Sequence, residues 1–222
     1  MTRLCAVVPA YNEGDRIGDT VKSLLTVPDI DTVLVIDDGS RDNTAEAAEK
    51  AGAEVVRLSE NKGKGNAMNT ARKSVDAEFY LFVDADLGEC AEHTEVLIPP
   101  VIDGEVDMTI ALMKAPPGHK GGFGAVKKLA AWGIKKFGGI DVAAPISGQR
   151  CMTRELIDAI GGFEQGFGAE TAMTIDAARK GFKIREIPVE LNHRLSGRSL
   201  KGFLHRGRQF LEIARAIAKR VK

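Results

Sequence analysis

The alternation of apolar runs with helical patterns over the first 90 residues constrains the fold more than any other feature. Four apolar runs have the length of strands: residues 4–8, 32–36, 54–58 and 79–83. Helical patterns separate them at residues 17–25, 42–52 and 65–74, with Asp15 as the predicted N-cap of the first helix. Because fully apolar strands joined by helices are typical of parallel sheets, we predict an α/β fold with a mostly parallel central sheet flanked by helices.

The alternation of strand and helix patterns becomes less regular after residue 90. The patterns predict helices at residues 96–102, 125–137, 152–160, 171–180 and 200–222, and strands at 108–113 and 184–187. A Pro- and Gly-rich loop covers residues 114–124. With neither a repeat nor a linker, residues 1–222 are predicted to form one domain. Residues 1–90 form the regular half of this domain, and residues 91–222 form its less regular half.

Composition excludes several classes of protein. Aromatic residues make up only 5% of the chain, which argues against a stacking surface for nucleic acid. The three widely spaced cysteines, Cys5, Cys90 and Cys151, fit neither a disulfide framework nor a zinc site, so a cytoplasmic protein is expected. We find no pattern of a signal peptide and no apolar run of the ~20 residues that cross a membrane.

Polar residues collect where each of the four predicted strands ends. These segments are residues 9–13 (PAYNE), 37–40 (DDGS), 61–66 (NKGKGN) and 84–86 (DAD). In an open parallel sheet, ligands bind outside the carboxyl ends of the strands. Each segment alone is weak evidence, but together they predict one binding site.

Asp84 and Asp86 are the most informative residues of that edge. Spaced i, i+2, they lie on one side of an extended backbone, and paired carboxylates suit Mg²⁺ or Mn²⁺. The prediction is a cation between the protein and a diphosphate, with Lys64 adding positive charge. The alternative for the aspartates is a simple turn or helix cap.

The first two segments fit a nucleoside. Tyr11 offers an aromatic face to a base, and Asp38 can accept a hydrogen bond from a base N–H. Simple packing of Tyr11, and a turn at residues 37–40 that caps the next helix, are the alternatives.

The four segments, in this order and spacing, resemble those of the family 2 glycosyltransferases with the GT-A (Rossmann-like) fold. The N-terminal half resembles dolichol- and polyprenyl-phosphate sugar transferases. The C-terminal half, through GFGAETAMTIDAARKG (166–181) and LNHRLSGRSL (191–200), is closer to the glucosyl-3-phosphoglycerate synthases. The resemblance covers nearly the whole chain and implies transfer from a nucleotide sugar to a phosphate-bearing acceptor. It makes residues 1–90 the nucleotide-binding half and residues 91–222 the acceptor-binding half.

This resemblance also implies roles for individual residues. It places Pro9, Tyr11 and Glu13 in the nucleoside pocket, Ile36 and Asp38 beside the base, and Lys64 near the nucleotide. It makes Asp84, Ala85 and Asp86 the D-x-D element, with Asp86 as the direct metal ligand.

The metal set is completed differently in the two branches. His193 matches the histidine that completes the metal site in the phosphoglycerate-type enzymes. Gly88 stands where the polyprenyl type often has a glutamine near the metal, which favours His193 as a ligand. A surface histidine is the alternative. Glu170 matches a residue that holds the donor sugar.

On the acceptor side, the sequence resembles the polyprenyl-phosphate transferases and departs from the phosphoglycerate synthases. Arg150, in SGQR (147–150), resembles an arginine that faces phosphate, so it is predicted to hold either the acceptor phosphate or the donor diphosphate. Lys120, Gly121 and Gly122 are predicted to close over the acceptor as part of a lid. An inverting reaction needs a base, for which Glu170 is the candidate, whereas a retaining one can use the leaving phosphate. The stereochemical outcome stays open.

Two further alternatives concern function and the tail. Gly88 and the position of the D-x-D argue against a dehalogenase-type phosphatase, and PAYNEGDR lacks the glycines of a dinucleotide site. A non-catalytic nucleotide-sugar sensor stays open. The basic residues 200–222 either pack on the domain or make peripheral contact with the inner membrane surface, and a homodimer is a further option.

Overall fold

One seven-stranded sheet organises the protein. The computed structural model describes residues 2–113, 124–191 and 200–221, with side chains described from residue 3 and, in the last segment, from residue 207. The strands are β1 (Thr2–Ala10), β2 (Thr32–Asp37), β3 (Glu54–Arg57), β4 (Ala77–Phe82), β5 (Met108–Met113), β6 (Arg150–Thr153) and β7 (Ile184–Val189). Their order in the sheet is β3-β2-β1-β4-β6-β5-β7.

Helices flank the sheet. They are α1 (Ile17–Leu24), α2 (Thr44–Ala51), α3 (Lys64–Ser74), α4 (Pro99–Ile102), α5 (Gly124–Gly138), α6 (Arg154–Ile160), α7 (Ala169–Arg179) and α8 (Leu200–Ala218). Two 3₁₀ helices, Gly88–Leu97 and Gly166–Gly168, complete the described elements.

The prediction of a mostly parallel sheet is confirmed. Strands β1, β2, β3 and β4 pair in parallel, as do β5 and β7, whereas β6 runs antiparallel to both β4 and β5. Alternate residues of β1 face opposite sides: Leu4 and Ala6 lie in one apolar cluster, and Cys5 and Val7 lie in the other. Both faces of the sheet are covered, which explains why its strands are apolar without alternation.

Two predicted boundaries at helix starts are wrong. Helix α1 begins at Ile17 with Arg16 at the N-cap position and no side-chain cap, so Asp15 does not cap it. Residues 152–153 belong to strand β6 rather than to the predicted helix. Thr153 ends that strand and caps α6, since its hydroxyl accepts a hydrogen bond from the backbone N–H of Leu156 at 3.2 Å.

Prolines explain two further differences. The predicted helix at residues 96–102 is a 3₁₀ helix that ends at Leu97, followed by α4. Pro99 and Pro100 start α4 instead of interrupting it, because proline is tolerated in the first turn. Strand β7 continues through Pro188 to Val189, which its position at the sheet edge allows.

Helix α8 packs against α5 and α7. Ile213 and Ile217 are buried in a cluster with Ile134 of α5 and Ile175 of α7. The contact is close: a Cβ added at Gly133 would lie 2.4 Å from Cδ1 of Ile217. In the described part of the tail, these apolar residues therefore cover the domain. Among the described residues, the structure contains no helix with the length and apolar character that crossing a bilayer requires.

Candidate active site

The loops after β1, β2 and β4 meet at one edge of the sheet, because these strands are parallel neighbours. Ala10 pairs with Asp37 across β1 and β2, and Val7 pairs with Phe82 across β1 and β4. The first two loops also contact each other: Asn12 and Glu13 donate backbone hydrogen bonds to the hydroxyls of Ser40 and Thr44, both at 2.9 Å. The polar segments therefore form one connected surface.

A cluster of three charged side chains lies at the end of β4. Lys64 Nζ, in the first turn of α3, lies 2.6 Å from Asp84 Oδ1 and 3.1 Å from Glu170 Oε1. Glu170 lies in the first turn of α7 and is largely buried. Three elements far apart in sequence thus bring one cation between two carboxylates.

The two carboxylates determine the charge state of Lys64. Burial alone lowers the pKa of this lysine, but the attraction of Asp84 and Glu170 outweighs it and raises the pKa above the ordinary value. The side chain of Lys64 is therefore a permanent cation at the edge of the sheet.

Strand β6 adds a second partner for Asp84. Because β6 is antiparallel to β4, the residues that precede it reach the same edge as the residues that follow β4. Gln149 Nε2 donates to Asp84 Oδ2 at 2.6 Å, and Gln149 Oε1 accepts from the hydroxyl of Ser147 at 3.3 Å. A Cβ added at Gly148 would lie 2.4 Å from Lys64 Nζ and 2.6 Å from Asp84 Oδ1, so a larger residue there would displace these side chains.

The D-x-D segment is a turn held by α1. Strand β4 ends at Phe82, and Ala85 and Asp86 lie in a turn, so the extended geometry assumed for Asp84 and Asp86 is wrong. Thr20 accepts from the backbone N–H of Gly88 and donates to the carbonyl of Ala85, both at 2.8 Å. Arg16 Nη1 donates to the carbonyl of Asp86 at 3.0 Å. Helix α1 thus fixes the backbone that carries the two aspartates.

Asp38 occupies a different environment at the end of β2. Its side chain is buried, Oδ1 accepts from the backbone N–H of Lys62 at 3.0 Å, and Oδ2 accepts from that of Gly63 at 2.7 Å. Asp37 Oδ1 accepts from Ser40 N at 2.9 Å and closes the turn between β2 and α2. Both aspartates hold loop backbone.

The remaining residues of the expected nucleoside pocket lie around these loops. Tyr11 is 41% exposed, and Pro9 and Glu13 are half-buried. Ile36 is fully buried in the core, so its side chain is not presented to a ligand. Among these residues, Tyr11 therefore offers the exposed face on which a base could stack.

Arg150 lies inside the protein with none of its surface exposed. Its guanidinium donates to the carbonyl of Ser147 at 2.8 Å and to the hydroxyl of Thr174 at 2.7 Å. Burial lowers the pKa of Arg150 to about 10, although Glu170 and Glu186 oppose this effect. The predicted contact with a substrate phosphate does not fit this placement, because the arginine holds the loop before β6 against α7.

The other expected ligands of metal and acceptor lie outside the described residues: His193, Lys120, Gly121 and Gly122. Among the residues that the structure describes, no group of three His, Cys, Asp or Glu side chains could hold a metal ion. Asp84 and Asp86 nevertheless provide hard oxygen donors on one turn, which suit Mg²⁺ or Mn²⁺. Asp84 is held by Lys64 and Gln149, and the role of Asp86 as the direct ligand stays a prediction.

The family assignment comes from comparison with known proteins. The family model described as "Glycosyl transferase family 2" matches residues 5–157. The chain belongs to glycosyl transferase family 2. The matched region contains β1 to β4 and the loop before β6, and thus all of the cluster except Glu170.

Two curated family members show the range of the similarity. Glycosyltransferase AglJ of Haloferax volcanii is 31% identical over 198 residues, which are 87% of this chain and 64% of AglJ. The chain thus spans less than two thirds of that relative's length. The undecaprenyl-phosphate mannosyltransferase of Micrococcus luteus is 26% identical over 213 residues, which are 89% of this chain and 86% of the relative.

The solved structures show the fold. Glucosyl-3-phosphoglycerate synthase of Mycobacterium tuberculosis, in complex with Mn²⁺, UDP-glucose and phosphoglyceric acid, superposes with a TM-score of 0.80 at 23% identity. The similarity covers 98% of this chain and 80% of the synthase. The predicted GT-A arrangement is therefore confirmed as the fold of this family member.

Sequence reasoning missed three supports of the site: Arg16, Thr20 and Gln149. Arg16 and Thr20 act on backbone atoms and belong to a helix whose pattern indicates only packing. Gln149 reaches the site because β6 is antiparallel, and sequence reasoning did not recognise β6 as a strand. The quoted SGQR segment was the available signal, but the arginine in it was chosen instead of the glutamine.

Proposed function

We propose that this chain transfers a hexosyl group from a UDP- or GDP-sugar to a phosphate-bearing acceptor. The acceptor is either a small phosphorylated acid similar to 3-phosphoglycerate or a polyprenyl phosphate. Membership of the family supports the reaction type. The named relatives, a synthase bound to UDP-glucose and phosphoglyceric acid and an undecaprenyl-phosphate mannosyltransferase, support these two acceptor classes.

The observation that carries the proposal is the Lys64–Asp84–Glu170 cluster. A cation with a raised pKa stands between two carboxylates at the sheet edge, where α/β folds bind ligands. When a nucleoside diphosphate leaves a sugar, negative charge develops on its phosphates, and a fixed cation stabilises that charge. Lys64 has the position and charge for this role.

The donor side is built from the first two loops and the D-x-D turn. Tyr11 stacks on the base, Pro9 and Glu13 line the pocket, and Asp38 shapes the loop at residues 61–63. Asp86 would hold Mg²⁺ or Mn²⁺ with support from Asp84 and His193. When bound, the ion neutralises charge on the diphosphate. Ala85 lies between the two aspartates in the sequence, and its carbonyl accepts the hydrogen bond from Thr20.

The transfer forms one bond and breaks one. An oxygen of the acceptor forms a bond with the anomeric carbon of the sugar, and the bond from that carbon to the diphosphate oxygen breaks, with its electron pair leaving on the diphosphate. A hydroxyl acceptor must lose a proton, for which Glu170 is the candidate base. An ionised polyprenyl phosphate carries no such proton, so Glu170 would then only hold the sugar and Lys64.

In this proposal, the acceptor side consists of residues 120–122 and the loop before β6. Lys120, Gly121 and Gly122 remain the candidates for contact with the acceptor phosphate. Arg150 is a positioning residue in this proposal, because its buried guanidinium holds residues 147–149 in place. Its replacement would act through Gly148 and Gln149 instead of through a lost phosphate contact.

A panel of nucleotide sugars tests the proposed function. Thermal shifts with UDP- and GDP-hexoses, measured with and without Mn²⁺, would identify the donor. Nucleotide release would then be measured with 3-phosphoglycerate and with a short-chain polyprenyl phosphate. We expect a metal-dependent shift with one donor class and release that requires one acceptor class.

A sensor of the same fold is the second candidate, and the same assays separate the two. Donor binding without turnover on either acceptor class would overturn the enzyme and support the sensor. Donor hydrolysis without transfer would retain the donor site and overturn the acceptor assignment. No shift with any nucleotide sugar would overturn both candidates.

A further inference from the structure

Helix α5 exposes an aromatic and basic face that the proposed reaction does not use. Trp132 is 55% exposed, and Lys128, Lys135 and Lys136 lie three or four residues from it, on the same side of the helix. The opposite side carries Ala130 and Ile134, which are buried against α7 and α8. We call Lys128, Trp132, Lys135 and Lys136 the α5 face.

Neighbouring rings support Trp132 in its exposed position. Its ring meets the edge of Phe137 with centroids 5.8 Å apart and an interplanar angle of 88°. The guanidinium of Arg179 lies 5.9 Å from the centroid of Phe137, and Arg179 Nε donates to the carbonyl of Phe137 at 2.7 Å. The ring of Phe137 therefore packs against Trp132, while more than half of the tryptophan surface stays exposed.

Positive charge dominates this part of the surface. Helix α5 carries four lysines, all exposed, and no acidic residue. Among the described residues, the exposed Asp141 is the one acidic partner of these lysines, with Oδ1 at 2.9 Å from Lys135 Nζ. Helix α8, packed beside α5, exposes the apolar residues Phe210 and Leu211.

We propose that the α5 face docks this protein on an anionic lipid surface. Tryptophan favours the boundary between headgroups and acyl chains, and lysines beside it are attracted by negative headgroups. A second copy of the chain is a poorer occupant, because a two-fold interface would place the same lysines of both copies against each other. The positive charge and the exposed tryptophan together therefore favour an anionic lipid surface over a second copy of the chain.

The docking surface is α5 rather than the basic tail. Ile213 and Ile217 of α8 are buried against the domain and are not available to enter a bilayer. The inference does not depend on which acceptor is used.

The single tryptophan makes the test direct. Because Trp132 is the only tryptophan of the chain, its emission reports on this face without labelling. Intact protein would be titrated with vesicles of phosphatidylcholine, with and without phosphatidylglycerol. We expect a blue shift with the anionic vesicles only, and co-flotation with the same vesicles that high salt reverses.

Matched variants locate the contact. The α5 variant carries Lys128→Glu, Lys135→Glu and Lys136→Glu. The control carries Lys22→Glu, Lys50→Glu and Lys73→Glu, which are exposed lysines of α1, α2 and α3 with the same change in net charge. Flotation of the α5 variant should weaken by roughly 100-fold, whereas that of the control should stay within about threefold of the wild type.

Each outcome decides the inference. It is overturned if the wild type does not bind anionic vesicles, if neutral vesicles bind it equally, or if both triple variants lose binding alike. Retention on heparin without vesicle binding would assign the face to another polyanion and overturn it as well. So would a dimer that Trp132→Ala dissociates. Turnover by the α5 variant on a water-soluble acceptor separates this result from failure of the proposed function.

Discussion

The ends of β2 and β4 both present a carboxylate at the ligand edge of the sheet, but the two are held in different ways. Asp38, after β2, accepts two hydrogen bonds from backbone N–H groups of the loop at residues 62–63. Asp84, after β4, is held by two side chains, Lys64 and Gln149, which come from α3 and the loop before β6. One carboxylate shapes a loop, and the other orders a group of side chains.

This difference separates a carboxylate that supports a loop, Asp38, from one that belongs to the charged cluster, Asp84. Backbone N–H groups cannot change charge, so the hydrogen bonds of Asp38 do not depend on the protonation of a partner. Side-chain partners can move toward a ligand, and Lys64 can interact with a phosphate at the same time as with a carboxylate. We therefore expect substitutions at the end of β4 to affect turnover, and substitutions at the end of β2 to affect stability.

Asp86→Ala is the strongest test of the β4 end. Transfer should fall by roughly 1,000-fold, because the proposed metal would lose its direct ligand and the developing charge its stabilisation. The change in melting temperature should be small, since the side chain is half-buried and the turn is held through backbone atoms. Steady-state nucleotide release with Mn²⁺ gives the measurement.

Glu89→Ala, an exposed carboxylate three residues further on, is the matched control and should leave turnover unchanged. Wild-type rates in Asp86→Ala would remove the β4 end from the chemistry and with it the contrast between the two strands.

Lys64→Met should lower transfer by roughly 100-fold, because the fixed cation at the diphosphate is lost. Asp84 and Glu170 would then face each other without it, so the variant should also be less stable. Since folding raises the pKa of Lys64, the stabilisation is fully present below pH 10.5 and is lost only as the pH rises further. Turnover and thermal unfolding at neutral pH measure both effects.

Lys62→Met is the control for this change. Lys62 is exposed, pairs only with Glu60 among the ion pairs of the described residues, and lies two positions away. A similar loss of turnover in both variants would mean that the loop tolerates no change, and that Lys64 has no special role.

The contrast between the two strand ends shows which features of the fold and the site can be predicted from the sequence alone. Runs such as residues 32–36 are apolar because both faces of the sheet are covered. For this reason the sequence alone predicts the strands and the edge of the sheet where a ligand binds. Lys64, Asp84 and Glu170 were singled out from motifs in the loops. Their contact depends on how α3 and α7 pack, which no local pattern contains.

The errors also have physical causes. Strand β6 has only four residues and is followed at once by α6, so its pattern merges with that of the helix. The motifs assign Ile36 and Arg150 to ligand contacts by their positions in the chain. Both side chains are buried and do not reach the surface. A motif identifies a position on the chain, and packing decides which atoms of that position face the ligand.

Gln149→Leu should reduce turnover by roughly tenfold. The leucine keeps the volume but removes the N–H that orients Asp84, and supporting residues of this kind typically contribute 10- to 100-fold to activity or metal affinity. The concentration of Mn²⁺ needed for half-maximal rate should rise with the loss of rate, which a merely structural role would not produce. Gln165→Leu, at an exposed glutamine, is the control.

Asp38→Asn should have the smallest effect on turnover, within about threefold, but a clear effect on stability. Asparagine offers one acceptor oxygen in place of two, so one of the N–H groups of Lys62 and Gly63 would face an amide that also donates. The expected cost is about 1–3 kcal/mol, measured by denaturant unfolding. Asp29→Asn, at an exposed position, should unfold like the wild type.

The opposite result would be equally informative. If Asp38→Asn keeps its stability and raises the KM for the donor more than tenfold, the carboxylate contacts the base directly. The two strand ends would then both act on the ligand, and the hydrogen bonds of Asp38 to the loop would belong to the ligand-free protein only. Because stability and KM are measured independently, a single variant distinguishes a carboxylate that shapes a loop from one that recognises a nucleoside.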